Sequence, residues 1–395
     1  MSVADHTSAV PAGRLATYYF CYFAFIGAFS PYFGLYLQSL GFSAWEIAVL
    51  LSQLQLMRIV APNVWGWLAD RNGRRVGIVR LASVLSLAGF SLCFFADSFF
   101  AWLVAMAVLA FFWGAALPLV EAITLDHLGG EAARYSRIRL WGSVGFIVAV
   151  LATGRALDEL PLAALLWILL GVLGSIVACS VVLPESRPQR STAVAVPLGD
   201  ILRQRRVMAL LLACFIMSAA HGALYVFYSI YIADFGYSRS VVGALWSLGV
   251  IAEIGVFWVM AQMLVRYSLR TILVACFVAA AVRFLIIGWG AQYWPLLVAA
   301  QLLHGLSFGA YHAAAIAAIN AWFPPHCQGR GQALYSSVSF GAGGLFGGIL
   351  AGALWDGAGG AVTYTVSAAI ALAGVAVIGL GVRESPQRLP AGARH

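Results

Sequence analysis

Charge is scarce in this chain. Only 10% of its 395 residues are Asp, Glu, Arg or Lys, and not one of them is Lys. A soluble domain runs near 25% charged and needs that much to keep its surface in water. With 62% hydrophobic residues and a mean hydropathy of +0.91, this is a polytopic membrane protein. The missing lysine reflects codon usage and carries no mechanistic weight. Cysteine is sparse too: Cys21, Cys93, Cys179, Cys214, Cys276 and Cys327 are scattered, mostly within apolar runs, with no CxxC or metal spacing. They read as small packing residues. A membrane enzyme would need a dense cluster of metal ligands, a Ser/His pair or a glycine-cradled phosphate site at one face, whereas the sequence shows no HxxxH, DxxD or similar spacing. Those absences argue against a membrane enzyme, and no metal or cofactor is implied. The chain starts polar, and its first apolar run is long and lacks a small-residue cleavage site, which argues against a cleavable signal peptide.

The formal net charge of +8 invites a nucleic-acid partner, but the placement of the charges excludes one. Arg71, Arg74, Arg75, Arg134, Arg137, Arg187, Arg190, Arg203, Arg205, Arg206, Arg266, Arg270 and Arg330 fall in alternate loops, and the other loops hold few charges. That is the positive-inside bias, with both termini cytoplasmic in an inner membrane. Since about 20 apolar residues cross the hydrocarbon, twelve spans are expected. They lie near 14–40, 43–69, 76–96, 99–125, 137–157, 161–183, 207–234, 239–265, 270–290, 294–322, 331–354 and 361–382. The expected partners are the lipid bilayer, a small-molecule substrate and protons, with the chain acting as a monomer.

Shifting the sequence against itself by 195 residues superposes Gly27-Ala28 on Gly222-Ala223, Gly41-Phe42-Ser43 on Gly236-Tyr237-Ser238, Arg71 on Arg266 and Arg75 on Arg270. The chain is therefore expected to be two parallel six-helix repeats, 1–183 and 207–395, joined by a cytoplasmic linker at 184–206. The first Arg-rich hairpin reads GWLADRNGRR, with Gly66, Asp70, Arg71, Gly73, Arg74 and Arg75. This resembles the signature of the major facilitator superfamily. The resemblance implies an all-α fold of twelve transmembrane helices in two pseudo-symmetric bundles, working as a secondary transporter. YSRIRLWGSVGF (135–146), HGALYVFYSIYI (221–232), GYSRSVVGALWSLGVIAE (236–253) and QLLHGLSFGAYHAAA (301–315) look like the 3-phenylpropionate permease branch, a neighbour of lactose permease and the nucleoside proton symporters. That implies proton-coupled import of a small aromatic or related monocarboxylate. Sugar or nucleoside import and amphiphile export stay as alternatives. The fifth span, RLWGSVGFIVAVLATG, has no proline, which counts against export.

Charges near the bilayer midplane cost at least about 2.5–3.5 kcal/mol each and face a cavity or a partner. At 1.5 Å per residue, Arg58, Glu253, Arg283 and His304 all lie near mid-depth of the second, eighth, ninth and tenth spans. Arg58 and Glu253 are equivalent under the 195 shift. A desolvated carboxyl favours its neutral form and a neighbouring guanidinium the anion, so a glutamate whose Arg partner moves can carry a proton. By resemblance to lactose permease, Glu253, Arg283 and His304 form the proton-coupling set. The tenth span lacks the acidic residue that lactose permease has after this histidine. Packing ion pairs remain the plain alternative.

For substrate contact the candidates are Arg58, Glu121, Arg139, Trp141, His221, Tyr225, Tyr228, Phe308, Tyr311 and His312. Helical spacing puts His304, Phe308 and Tyr311 on one line with His312 about 80° off it, and His221, Tyr225 and Tyr228 on another. Glu121 and Asp126 on the fourth span and Arg139 on the fifth resemble the acidic–basic pair that binds sugar in lactose permease, and Trp141 beside Arg139 suits an aryl carboxylate. The plain alternative for Arg139 is an anchor at the cytoplasmic end of its span. The first span bears a third stripe, Tyr18, Tyr22, Phe25, Phe29, Tyr32 and Tyr36. It does not coincide with the His221 stripe under the shift, so one of the two is expected to face lipid.

Overall fold

The computed structural model describes residues 10–129, 132–186, 199–324 and 327–382; the side chains of Asp70, Ala132 and Ala133 lie outside the described set. Ten helices long and apolar enough to cross a membrane come first: α1 Ala12–Ser39, α2 Ala44–Ala69, α3 Arg75–Phe94, α4 Phe99–Leu128, α5 Arg134–Glu159, α6 Ala164–Val181, α7 Arg205–Asp234, α8 Arg239–Arg266, α9 Leu269–Gly290 and α10 Trp294–Trp322. An eleventh stretch, Gln328–Gly381, has 54 residues. At 1.5 Å per residue that is about 80 Å, against a hydrocarbon core of about 30 Å. Gly359 interrupts it with φ 81° and ψ 164°, so 328–358 form α11 and 360–381 form α12. The twelve crossings read from composition are therefore present, and no strand occurs among the described residues.

The local signals for helix ends repeat between the halves. Gly41 (φ 87°) and Gly236 (φ 84°), equivalent under the shift, take the left-handed conformation just past α1 and α7. Ser43 and Ser238 follow them. Ser238 accepts from Val241 N at the start of α8, while Ser43 and Glu46 form a reciprocal capping box on α2. Arginines seat on the opposite helix ends. Arg80 donates to the carbonyls of Ser180 and Val181 at the end of α6, and Arg270 to Gly379 O near the end of α12.

Two helices are broken in mid-span. In α1 the helix stops at Phe29 and resumes at Phe33, because Pro31 has no N–H to donate. In α7 the break is at His221, between Ala220 and Gly222. There α7 and α11 touch backbone to backbone: a Cβ on Gly222 would lie 2.1 Å from the carbonyl carbon of Gly347. Gly222→Val is expected to destabilise the protein by at least the 1–3 kcal/mol of ordinary overpacking. Thermal unfolding of the detergent-solubilised protein measures this, and an unchanged midpoint would mean the two helices do not cross there.

The described residues fall into two compact units by contacts. One comprises 10–28, 60–149 and 166–186; the other comprises 29–59, 150–165 and 199–382. In the first, Tyr22 stacks on Trp113 with ring centroids 4.6 Å apart, and Phe25 packs against the same indole. In the second, Phe29 stacks on Phe33 and Tyr32 is fully buried. All six residues of the α1 stripe are buried, Tyr18 and Tyr32 at 0% exposure. His221 and Tyr228 are each 1% exposed. Neither stripe faces outward, which corrects the expectation that one of them meets lipid. Each half uses its aromatic stripe to fill protein interior.

Candidate functional site

The second unit holds a polar cluster built from α8, α9 and α10. Arg283 on α9 is 1% exposed, and its fork is fully engaged. Its Nε donates to Ala300 O at 2.9 Å, and its terminal nitrogens to His304 Nδ1 at 2.9 Å, Gln301 Oε1 at 3.2 Å and Ser307 Oγ at 3.4 Å. No carboxylate among the described residues lies within ion-pair distance of it. Glu253 on α8 instead approaches the other side of the same imidazole, with Oε2 4.0 Å from His304 Nε2. A guanidinium only donates, so His304 Nδ1 must accept, and the neutral ring carries its proton on Nε2, facing Glu253. Glu253, Arg283 and His304, expected as one set, thus form a line of three groups with His304 in the middle.

The close approach of α8 to α10 has a cause in the backbone. Gly305–Ala310 is a π-helical segment within α10. A Cβ on Gly305 would lie 2.7 Å from Ala252 O, and one on Gly309 3.0 Å from Glu253 Cγ. The segment also changes which side chains share a face. A π turn takes more residues than an α turn, so positions four apart line up. His304 stacks on Phe308 (5.2 Å, 10°) and Phe308 on His312 (6.3 Å, 8°). Tyr311, expected in that line, is instead buried with its hydroxyl 3.5 Å from Cys214 O and Ser339 Oγ. His312, expected off the line, is in it.

The column continues onto α11. Phe340 packs 6.1 Å from both Phe308 and His312, and Tyr335 OH lies 2.8 Å from His312 Nδ1. Arg58 of α2 places its guanidinium 5.6 Å from the Phe340 ring centroid. Phe340 falls in a second π-helical segment, Ser337–Gly343. At the other flank, His221 sits at the α7 break with Nδ1 2.8 Å from Met217 O, its ring 5.0 Å from Phe284 and 6.3 Å from Phe308. Tyr225 stacks on His221, and Tyr225 and Tyr228 both pack on Trp246. Around Arg283, His221 Nε2 is buried with no hydrogen-bond partner among the described residues, while the Tyr228 hydroxyl faces the Gln301 side chain. The break in α7 thus places a buried polar atom without a partner among the described residues beside the Arg283 cluster.

The first unit holds a separate pair. Arg139 Nε lies 3.7 Å from Glu121 Oε1, with both side chains about one third exposed (31% and 35%). The guanidinium lies 4.0 Å from the Phe23 ring centroid and 5.6 Å from that of Tyr19. The rings beside Arg139 thus come from α1, while Trp141 is 51% exposed. Two steps along a helix turn the side chain by about 200°, which closeness in sequence hides.

The hairpin motif has a mixed outcome. Gly73 adopts φ 62° in the turn between α2 and α3. Arg75 pairs with Asp126, which also accepts from Ser186, and Glu185 caps α3 at Val76 N. Arg71 lies over Trp67, and Arg74 is exposed. A Cβ on Gly66 would meet nothing within 4 Å. That glycine lines a cleft of about 180 Å³ with Pro62, Trp65 and Pro118 rather than admitting a neighbouring helix. The Asp70 side chain lies outside the described residues.

Sequence reasoning missed Gln301, Ser307, Tyr335 and Phe340. Gln301 stands three residues before His304 and Ser307 three after it, polar positions in an apolar span that helical spacing could have flagged. Nothing in the sequence marks Phe340.

Comparisons with known proteins agree with this architecture. The family model described as "MFS_1 like family" matches residues 13–366. The chain is 31% identical over 343 residues to the probable 3-phenylpropionic acid transporter of Escherichia coli K12, covering 83% of this chain and 86% of the relative. It is 26% identical over 333 residues to the maltose permease of Geobacillus stearothermophilus, covering 83% and 84%. Among solved structures, the nucleoside transporter NupG superposes with a TM-score of 0.83 at 16% identity, over 95% of this chain and 99% of that one.

Proposed function

Because this chain belongs to the MFS_1-like family of the major facilitator superfamily, and is therefore a multi-pass membrane transporter and not an enzyme, we propose that it imports a small aromatic monocarboxylate such as 3-phenylpropionate together with protons. It works by alternating access as a monomer in the inner membrane, with both termini cytoplasmic. The observation that supports this reading best is the column of rings His304, Phe308, His312 and Phe340. Arg58 stands at one end of it and the Glu253–His304 pair at the other. An aryl group stacks on rings offset from its own, a carboxylate pairs with a guanidinium bidentately, and a proton rides on Glu253. The energetics require the proton. Moving one negative charge inward against 100 mV costs about 2.3 kcal/mol, which a co-transported proton cancels.

Uptake of labelled 3-phenylpropionate into proteoliposomes, with maltose and uridine as competitors, tests the substrate class. The expected result is saturable uptake inhibited by single-ring carboxylates and untouched by either competitor. Uptake of maltose or uridine in place of the acid would overturn it. Within the site, Phe340→Ala is expected to raise the substrate KM roughly two- to tenfold, since one aromatic contact is worth about 0.5–1.5 kcal/mol. Its maximal rate should change little; a lower rate at unchanged KM would mean Phe340 acts on the conformational step instead.

A further inference from the structure

The ends of α5 and α11 carry the same device. Asp158, near the end of α5, accepts hydrogen bonds from Arg239 N at 2.8 Å and Ser240 N at 3.0 Å, the first two residues of α8. Asp356, on α11, accepts from Ala44 N at 3.2 Å, the first residue of α2. Ala44 and Arg239 are equivalent positions of the repeat, 195 residues apart, and Asp158 and Asp356 are 198 apart. One turn before each aspartate, at the same 198 step, stands a glycine pressed onto the helix that is capped. A Cβ on Gly154 would lie 2.6 Å from Arg239 O, and one on Gly352 2.3 Å from Ala48 Cβ. The counterpart of Ala48 is Gly243, whose Cβ would lie 2.8 Å from Val150 O on α5. The α5–α8 crossing is further pinned by Tyr32, whose hydroxyl lies 2.7 Å from Val150 O and 3.2 Å from Arg239 O.

Each site pairs a carboxylate with the free N–H groups and positive end of a long helix, which stabilises both. Each joins a helix of one sequence half to a helix of the other. That the device occurs twice, at positions related by the internal repeat, argues against a chance contact. We propose that Asp158 and Asp356 are a pair of positioning residues for the transport cycle: they latch the end of the carrier opposite the arginine-rich loops, and that end opens only when both leave their helix termini. Asp158 engages two N–H groups and Asp356 one, so the α5–α8 latch is the stronger. This rests on the alternating-access part of the proposed function and not on its substrate or its proton.

Two experiments test the latches. In the first, the pairs Asp158→Cys with Arg239→Cys, and Asp356→Cys with Ala44→Cys, are oxidised with copper phenanthroline, and disulfide formation is read by loss of maleimide labelling. The expected result is loss of 3-phenylpropionate exchange in both cross-linked carriers, restored by reductant. A cross-linked carrier that still exchanges would overturn the proposal. The second needs no substrate, so a wrong substrate assignment leaves it intact. Ser240→Cys is alkylated with a maleimide in the solubilised protein, alone and combined with Asp158→Asn, Asp356→Asn or both. Alkylation is expected to rise severalfold with Asp158→Asn, less with Asp356→Asn, and most with both. Equal rates in all four proteins would overturn the proposal, because a role confined to folding would not alter accessibility at this one end.

Discussion

Glu253→Gln is expected to abolish accumulation of substrate against its gradient while leaving exchange of internal for external substrate intact. Glutamine keeps the volume of the side chain and can still offer an oxygen to His304 Nε2, so the packing of α8 on the π segment at Gly309 should survive. What it loses is the ability to take up and release a proton. With the carboxyl ionised, Nε2–H of His304 is drawn toward a charge; with the carboxyl neutral, its carbonyl oxygen can still accept but the charge is gone, and α8 is held to α10 more weakly. A carrier that reorients loaded in both directions but never empty and protonated will exchange and not accumulate. For one coupled proton, each pH unit across the membrane supports a tenfold concentration ratio, so at one unit the carrier-mediated approach to that ratio, measured above protein-free liposomes, should be lost. A mutant that still accumulates substrate in proportion to the pH gradient would remove Glu253 from the coupling mechanism.

Arg283→Lys is expected to lower both uptake and exchange by about 100-fold, although the charge is kept. The guanidinium reaches four acceptors in different directions: Ala300 O, Gln301 Oε1, His304 Nδ1 and Ser307 Oγ. An ammonium is a compact point donor and cannot span that set. Each buried acceptor left unpaired costs about 1–3 kcal/mol, so about 2.7 kcal/mol, equivalent to 100-fold, needs only one or two of them to be released. The substitution should also free His304 to place its proton on Nδ1, disconnecting Glu253 from α9. Measuring exchange separates this effect from that of Glu253→Gln, which spares exchange. Exchange by Arg283→Lys at the wild-type rate would show that the buried fork serves packing only.

The fold was legible because the bilayer is a simple solvent. Run length counts the crossings, the alternation of arginine-rich loops orders them, and the 195-residue shift exposes the repeat. Even the interruption at Gly359 falls between the spans near 331–354 and 361–382 that the composition marks. Glu253, Arg283 and His304 were legible for the same reason: a polar group at mid-depth in an apolar span is conspicuous. Their pairing was not. Position along a helix gives depth but leaves rotation open, and nothing in the sequence says that His304 stands between the other two. The exchange of Tyr311 for His312 has a sharper cause. Counting at 3.6 residues per turn assumes a regular helix, and the π segment at Gly305–Ala310 breaks that assumption between the two residues being compared. Trp141 was misjudged as the ring beside Arg139 because residues two apart on a helix point to opposite sides. The aspartate latches escaped notice because each joins residues on separate helices, 81 and 312 positions apart, through backbone N–H groups that nearly every residue possesses.

The coupling of proton to substrate is tested most directly by the luminal pH of proteoliposomes loaded with a trapped pH dye, as 3-phenylpropionate is added outside. Protein-free liposomes supply the baseline for passive entry of the neutral acid. Proton symport predicts a saturable acidification above that baseline in step with entry of labelled substrate. Carrier-mediated entry of the label with acidification no greater than in protein-free liposomes would contradict it.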